Sequence, residues 1–98
     1  MKQAQKYLVL DNADRHRFEV DLGNGAIAVA EYTLRKGKIL FTHTKVPPEH
    51  QGKGIGTILV RFALAAARAR GLKVVPICPF FAIYIKGHPE EQDLLDRA

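Results

Sequence analysis

Between His43 and Thr57 the chain reads H-T-K-V-P-P-E-H-Q-G-K-G-I-G-T. Three glycines, Gly52, Gly54 and Gly56, flank Lys53 and Ile55, and the run beyond them is apolar with helical spacing. Glycine lets a backbone approach a ligand closely, and the first N–H groups of a helix have no internal partner. A strand, a glycine turn and a helix start therefore make a place for an anion such as a diphosphate. The plain alternative is a flexible loop that only turns a strand into a helix. The spacings G-x-x-x-x-G-K-[ST] and G-x-G-x-x-G are both absent, which argues against a Walker loop and a dinucleotide fold. Cys78 is the only cysteine. A lone thiol between apolar residues serves either as a small core residue or as a nucleophile. Alternation along its strand sets His43 on the face of Ile39 and Phe41, as a base or as a hydrogen-bonded structural histidine. Glu31 and Glu49 are further carboxylates able to act as bases. Four histidines and one cysteine without paired ligand spacing give a zinc centre nothing to rest on.

The elements that must position these groups follow from periodicity. Tyr7 to Leu10 is a short edge strand or a segment packed on the core. Phe18, Val20 and Leu22 alternate with Glu19 and Asp21, the pattern of a strand with one wet face. Gly23-Asn24-Gly25 is a hairpin turn. The next run, Ala26 to Leu34, carries apolar residues on both faces, as a central strand does. Lys36-Gly37 makes a second turn and Lys38 to Val46 a third strand, giving an antiparallel meander. After the glycine turn, Ile55, Ile58, Leu59, Phe62, Ala66 and Ala69 recur at helical spacing, with Thr57, Arg61 and Arg68 on another side. Gly71 stands where a left-handed C-terminal cap belongs. Lys73 to Ile77 is a short strand, and Pro76 inside it implies an edge, a bulge or a ladder that opens there. Pro79 to Ile85 reads as a short aromatic helix. His88-Pro89-Glu90-Glu91 begins a last one, with proline at the first helical position.

Ninety-eight residues, 47% hydrophobic, suit one α+β domain spanning 1–98 with a single core. A net charge of +5 favours an anionic partner without naming it. Arg61, Arg68, Arg70, Lys53 and Lys73 could form a nucleic-acid strip. No interleaved aromatic motif accompanies them, and cofactor phosphate contacts with a solvated helix face explain them better. One cysteine excludes an internal disulfide, so a cytoplasmic address is expected. Lys2 and Lys6 precede too short an apolar run for a secretory signal, and no stretch reaches membrane-spanning length.

Gln51-Gly52-Lys53-Gly54-Ile55-Gly56 resembles the Q/R-x-x-G-x-G/A motif of the Gcn5-related N-acetyltransferases. The order of elements is similar too, and F-T-H-T-K-V-P, A-R-A-R-G-L-K-V-V-P-I-C-P-F and I-K-G-H-P-E resemble its small single-domain branch, over about residues 8 to 95. The resemblance implies a compact fold of that family, with a mainly antiparallel sheet, a glycine turn leading into a long helix, and short C-terminal helices. It also implies acetyl-CoA as donor and an amine as acceptor. Gln51, Gly52, Lys53, Gly54, Ile55, Gly56 and Thr57 would wrap the pyrophosphate. Thr44, Lys45 and Val46 would lie along the pantetheine arm, with the Val46 N–H available to the thioester oxygen. The strands flanking the cofactor would splay near Pro76, placing Cys78 near the reacting carbon and before a helix N-terminus that favours a thiolate. Tyr84 stands about where the family places a tyrosine that protonates the departing thiolate; its alternative is packing with Phe80 and Phe81. Larger members carry two N-terminal helices that build the acceptor site, for which this chain has no room. The implied activity is acetyl transfer to an amine, by direct attack or through acetyl-Cys78. The alternatives are a non-catalytic CoA-binding or interaction module and a nucleic-acid-binding module.

Overall fold

The alternating runs and turn residues build one sheet. In the computed structural model, which describes residues 7–97, its strands are β1 (Val9–Asn12), β2 (Arg17–Gly23), β3 (Ala26–Arg35), β4 (Lys38–Lys45) and β5 (Lys73–Pro76), in that spatial order. Lys2 and Lys6 lie outside the described residues. The first three pairings are antiparallel and β4 pairs β5 in parallel, so the fold is α+β with a mainly antiparallel sheet. The turn at Gly23-Asn24-Gly25 has positive φ at all three residues, the backbone a tight hairpin demands. Val9 and Leu10 of the first apolar run belong to β1, an outer strand of the sheet, with Val9 turned inward and Leu10 outward at 58% exposure.

Helix α1 (Ile55–Ala69) makes the crossover from β4 to β5, and α2 (Pro79–Lys86) follows β5. Both contribute to one core with Phe18, Val20, Ala28, Ala30, Tyr32, Ile39, Phe41 and Val74. These alternate positions define the covered face of the sheet. The other face carries Leu10, Glu19, Ile27, Val29, Glu31 and Leu40, and neither helix covers it. The buried stripe of α1 is Ile55, Leu59, Val60, Ala63, Leu64 and Ala67, one residue round from the expected one. Phe62 is 44% exposed and meets Phe18 at the rim, ring centroids 5.9 Å apart. The helix is apolar over so much of its circumference that period alone admits two stripes. The small residues Ala63 and Ala67 decide between them by letting α1 sit close to the sheet. At its C-terminus, Leu72 N bonds to Ala67 O at 2.9 Å and Gly71 N to Arg68 O at 3.1 Å, with Gly71 at φ +68°. This is a Schellman cap.

The last segment differs from the expected helix. Pro89–Leu94 is a 3₁₀ turn. Leu95 then bridges Val74, and Asp96 N bonds to Val74 O at 3.0 Å, so the chain must leave the helix to reach the outer edge of β5.

Candidate functional site

β4 and β5 run side by side from Lys38↔Lys73 to Phe41↔Pro76, where the pairing stops while β4 continues to Lys45. Pro76 has no N–H to extend the ladder. The chain folds over itself there, with Ile77 N on Val75 O at 3.1 Å, and Cys78 N returns to Phe41 O at 2.8 Å. A slot opens between the end of β4 and the start of α2. Cys78 caps α2, is 6% exposed, and holds its sulfur 3.4 Å from Thr44 Oγ1.

From that end a groove leads to the glycine turn. It consists of two cavities of about 280 Å³ each, one lined by Thr44, Val46, Gln51, Gly56 and Phe80 and the other by Val46, Gln51, Gly52, Gly54, Gly56 and Thr57 among others. Val46, Gln51, Gly56 and Phe80 line both, so the two are continuous. The Gln51 side-chain amide donates to Val46 O at 3.0 Å and fastens the turn to the strand end. Gly54 stands at the helix start with φ +81°, a conformation L side chains adopt at a cost. The first bond of α1 runs from Ile58 N to Gly54 O, which leaves the N–H groups of Ile55, Gly56 and Thr57 without helical acceptors. Gly56 answers to a different demand. A Cβ there would come within 3.0 Å of the Phe80 ring, so this glycine makes room for an aromatic neighbour.

Thr44, Val46, Gln51, Gly52, Gly54, Ile55, Gly56 and Thr57 are thus brought together, with Cys78 beside Thr44. Lys53 is exposed and lies 3.4 Å from His50 Nδ1. Lys45 pairs with Val29, so its side chain belongs to the uncovered face, and it is not among the residues that line the groove. His43 also departs from expectation. Glu31 faces His43 while Tyr32 faces Phe41, so Thr42 is an extra residue in β4. This β-bulge reverses the alternation and turns His43 away from Ile39 and Phe41 toward the uncovered face, beside Glu31. Tyr84 does not join Cys78. It lines a third cavity with Thr57, Arg61, His88, Glu90 and Glu91, which shares only Thr57 with the groove, its ring stacked on His88 with centroids 3.8 Å apart. Three of the five basic residues of the expected strip are engaged elsewhere: Arg68 binds Asp93 and Glu91, Arg70 binds Asp11, and Lys73 Nζ donates to Asp93 O. Phe80 is the site residue that sequence reasoning left in the packing. Its signal was indirect: a glycine in the first turn of a helix marks a crowding neighbour without saying which.

A family model described as GCN5-related N-acetyl-transferase matches residues 17–94. The chain belongs to this N-acetyltransferase family. Among solved structures it is similar to the solution NMR structure of a GCN5-like protein from Staphylococcus aureus, with 25% identity and a TM-score of 0.71, covering 91% of this chain and 87% of the other. Among curated proteins none matches. Enzymes of the N-acetyltransferase family transfer acyl groups and generally use acetyl-CoA. The groove fits such a donor. At one end are helix N–H groups without helical acceptors, of the kind that suit an anion, then comes an apolar wall of Val46 and Phe80, and a slot beside Thr44 and Cys78 closes the other end. Among the described residues no His, Cys, Asp and Glu cluster could hold a metal ion, and no helix is long and apolar enough to cross a membrane.

Proposed function

We propose that this single domain binds acetyl-CoA in the groove and transfers its acetyl group to an amine, in the cytoplasm. The observation that carries the reading is the continuity of the groove from the unbonded N–H groups at the start of α1 to the point where β4 and β5 part, with Thr44 and Cys78 there. Bound acetyl-CoA supplies an activated thioester carbon. The chain's own part is to hold it and to manage charge. The N–H groups from Gly52 to Thr57, with Lys53 beside them, neutralise the diphosphate. Thr44, Lys45 and Val46 lie along the arm, and the Val46 N–H is the donor for the carbonyl oxygen as negative charge develops on it. Cys78, at the N-terminus of α2, assists the departing thiolate in the direct route or accepts the acetyl group itself in the two-step route. Tyr84 lies in the neighbouring cavity, so it is the weaker candidate for the leaving-group acid.

A thermal-shift comparison tests the donor. Acetyl-CoA and CoA raise the midpoint at saturating concentration, because a ligand bound only by the native state stabilises it, and ATP raises it less. No shift with either coenzyme removes the reading. Intact mass after incubation with acetyl-CoA alone separates the routes: a 42 Da gain (about one acetyl group, bonded to sulfur) that disappears in Cys78→Ser supports the acetyl-enzyme, and its absence under fast quench leaves direct attack. Tight binding with no transfer to any amine, unchanged by Cys78→Ser, would leave a CoA-binding module.

A further inference from the structure

The groove ends at a wall that the fold holds from both sides. Thr44 lies on β4 opposite Ala30 of β3, so the sheet fixes its backbone. Cys78 is fixed by its own backbone, whose N–H donates to Phe41 O at 2.8 Å and whose carbonyl accepts from Ala82 N at 3.1 Å. The Thr44 hydroxyl and the Cys78 sulfur meet at 3.4 Å and so bridge the two sides just past the last β4–β5 pair, Phe41↔Pro76. Behind that bridge lies the core. Cys78 is 6% exposed and clusters with Phe41 and Phe81, both fully buried, whose rings stack with centroids 4.1 Å apart. A close-packed interior yields little to an added methylene, because making room means pushing side chains off their rotamers. Phe80, on the other wall of the groove, is half-exposed and has room to turn. The groove is therefore adaptable along its length and rigid at its end.

We propose that Thr44 and Cys78 set the length of the acyl group that the protein accepts: the bridge between them leaves space for acetyl and excludes propionyl and longer chains. The proposal rests on the acetyl-transfer reading, since it takes the arm of the coenzyme to run along the groove with its thioester at the Thr44 end. There the carbonyl oxygen turns to the Val46 N–H. The carbon chain beyond it runs between the strand ends, toward the Thr44 side chain on one side and the Cys78 sulfur on the other. A further methylene has to displace one of the two, and neither backbone can retreat. The discrimination therefore comes from bulk at the wall and not from a hydrogen bond to the ligand. Thr44 is the side chain whose truncation deepens the slot while the thiol stays in place.

Calorimetry with the ethyl, propyl and butyl thioethers of CoA tests it, because they carry chains of growing length and no acyl carbonyl to transfer. In the parent protein affinity falls about tenfold or more from ethyl to propyl, the size of effect that one methylene has in a fitted pocket, and falls again at butyl. Thr44→Ala removes most of the first fall, and Cys78→Ala, which opens the wall from the other side, acts in the same direction. Thr44→Val keeps the bulk and loses the hydroxyl, so it keeps the parent's preference. Each variant is judged by the ratio of its own affinities, so a general weakening of binding does not enter. Equal affinity of the parent for the three thioethers overturns the proposal, as does a ratio unchanged in both alanine variants, or a Thr44→Val protein that behaves like Thr44→Ala. Failure of the parent to bind CoA and all three thioethers would instead remove the reading beneath it.

Discussion

Gly54 and Gly56 stand two residues apart in one motif for two different reasons, one a positive φ and the other a Phe80 ring 3.0 Å from where a Cβ would go. Both glycines were legible in the sequence, but the reason for the second was not, since it depends on how α2 is placed against α1. Gly56→Ala therefore pushes on the Phe80 ring, the far end of a half-exposed side chain, and the ring yields into the groove. The expected outcome is a stable fold with acetyl-CoA affinity lowered about tenfold, an overpacking effect of roughly 1–2 kcal/mol. Adding Phe80→Leu restores most of it, and calorimetry on the single and double variants checks this. Tyr32 shows the same dependence on neighbours. Its hydroxyl donates to Asp11 Oδ1 at 2.7 Å, and burial first, then that carboxylate, push its pKa up to about 12 from 10.0. A raised value in the fold means that neutral Tyr32 stabilises the protein fully below pH 10.0 and that this contribution fades as pH climbs toward about 12. Thermal melts from pH 8 to 12 should show the decline, and Tyr32→Phe should remove the part of the slope that belongs to it.

At the level of elements, pattern located β2 to β5 and both α-helices and left the first run open between an edge strand and a packed segment, because alternation and helical period reflect the same burial that the fold achieves. What it missed are interruptions of pattern. One unmatched residue, Thr42, reverses the faces of β4 and carries His43 to the side opposite Phe41. No local composition signals this, since bulges are fixed by which partner strand pairs with which register. The end of α1 was the opposite case. Gly71 reads as a left-handed cap from sequence, and it takes φ +68° in a Schellman motif. Gly71→Ala should cost roughly 1–2 kcal/mol, the penalty for an L residue in that conformation. Denaturant unfolding would measure it, with the slope unchanged because the fold stays the same.

Over the whole molecule the C-terminal segment works as a clasp. Arg68 on α1 bonds Asp93 and Glu91, Lys38 on β4 pairs with Asp96, and Leu95 lies against Val74, so helix, sheet and tail are tied together. The Arg68 guanidinium holds the Asp93 carboxyl below its ordinary 3.8, and Arg17 holds Glu19 below 4.5. Lowered carboxyl values in the fold mean that these pairs stabilise above those ordinary values and that the contribution is lost as pH falls through the lowered ones. Melting temperature should therefore drop on acidification below about pH 4.5, where the first of these carboxyls begins to protonate in the unfolded chain. Asp93→Asn should melt lower at neutral pH and show a shallower acid slope. The basic residues that looked like a surface for phosphates are largely consumed in this way, because a charge count cannot show which acidic groups the fold returns to them. The sequence by itself determined the α+β class, the meander and the glycine turn at the start of α1, since each rests on local pattern, backbone freedom or residue chemistry. Only the tertiary structure decided which side chains meet: Thr44 with the Cys78 sulfur, Phe80 with Gly56 in the groove, Tyr84 in another cavity, and His43 with Glu31 on the far face. Those relations depend on the parting of β4 from β5, on one bulge and on the seating of α2, which are set by packing between segments distant in sequence.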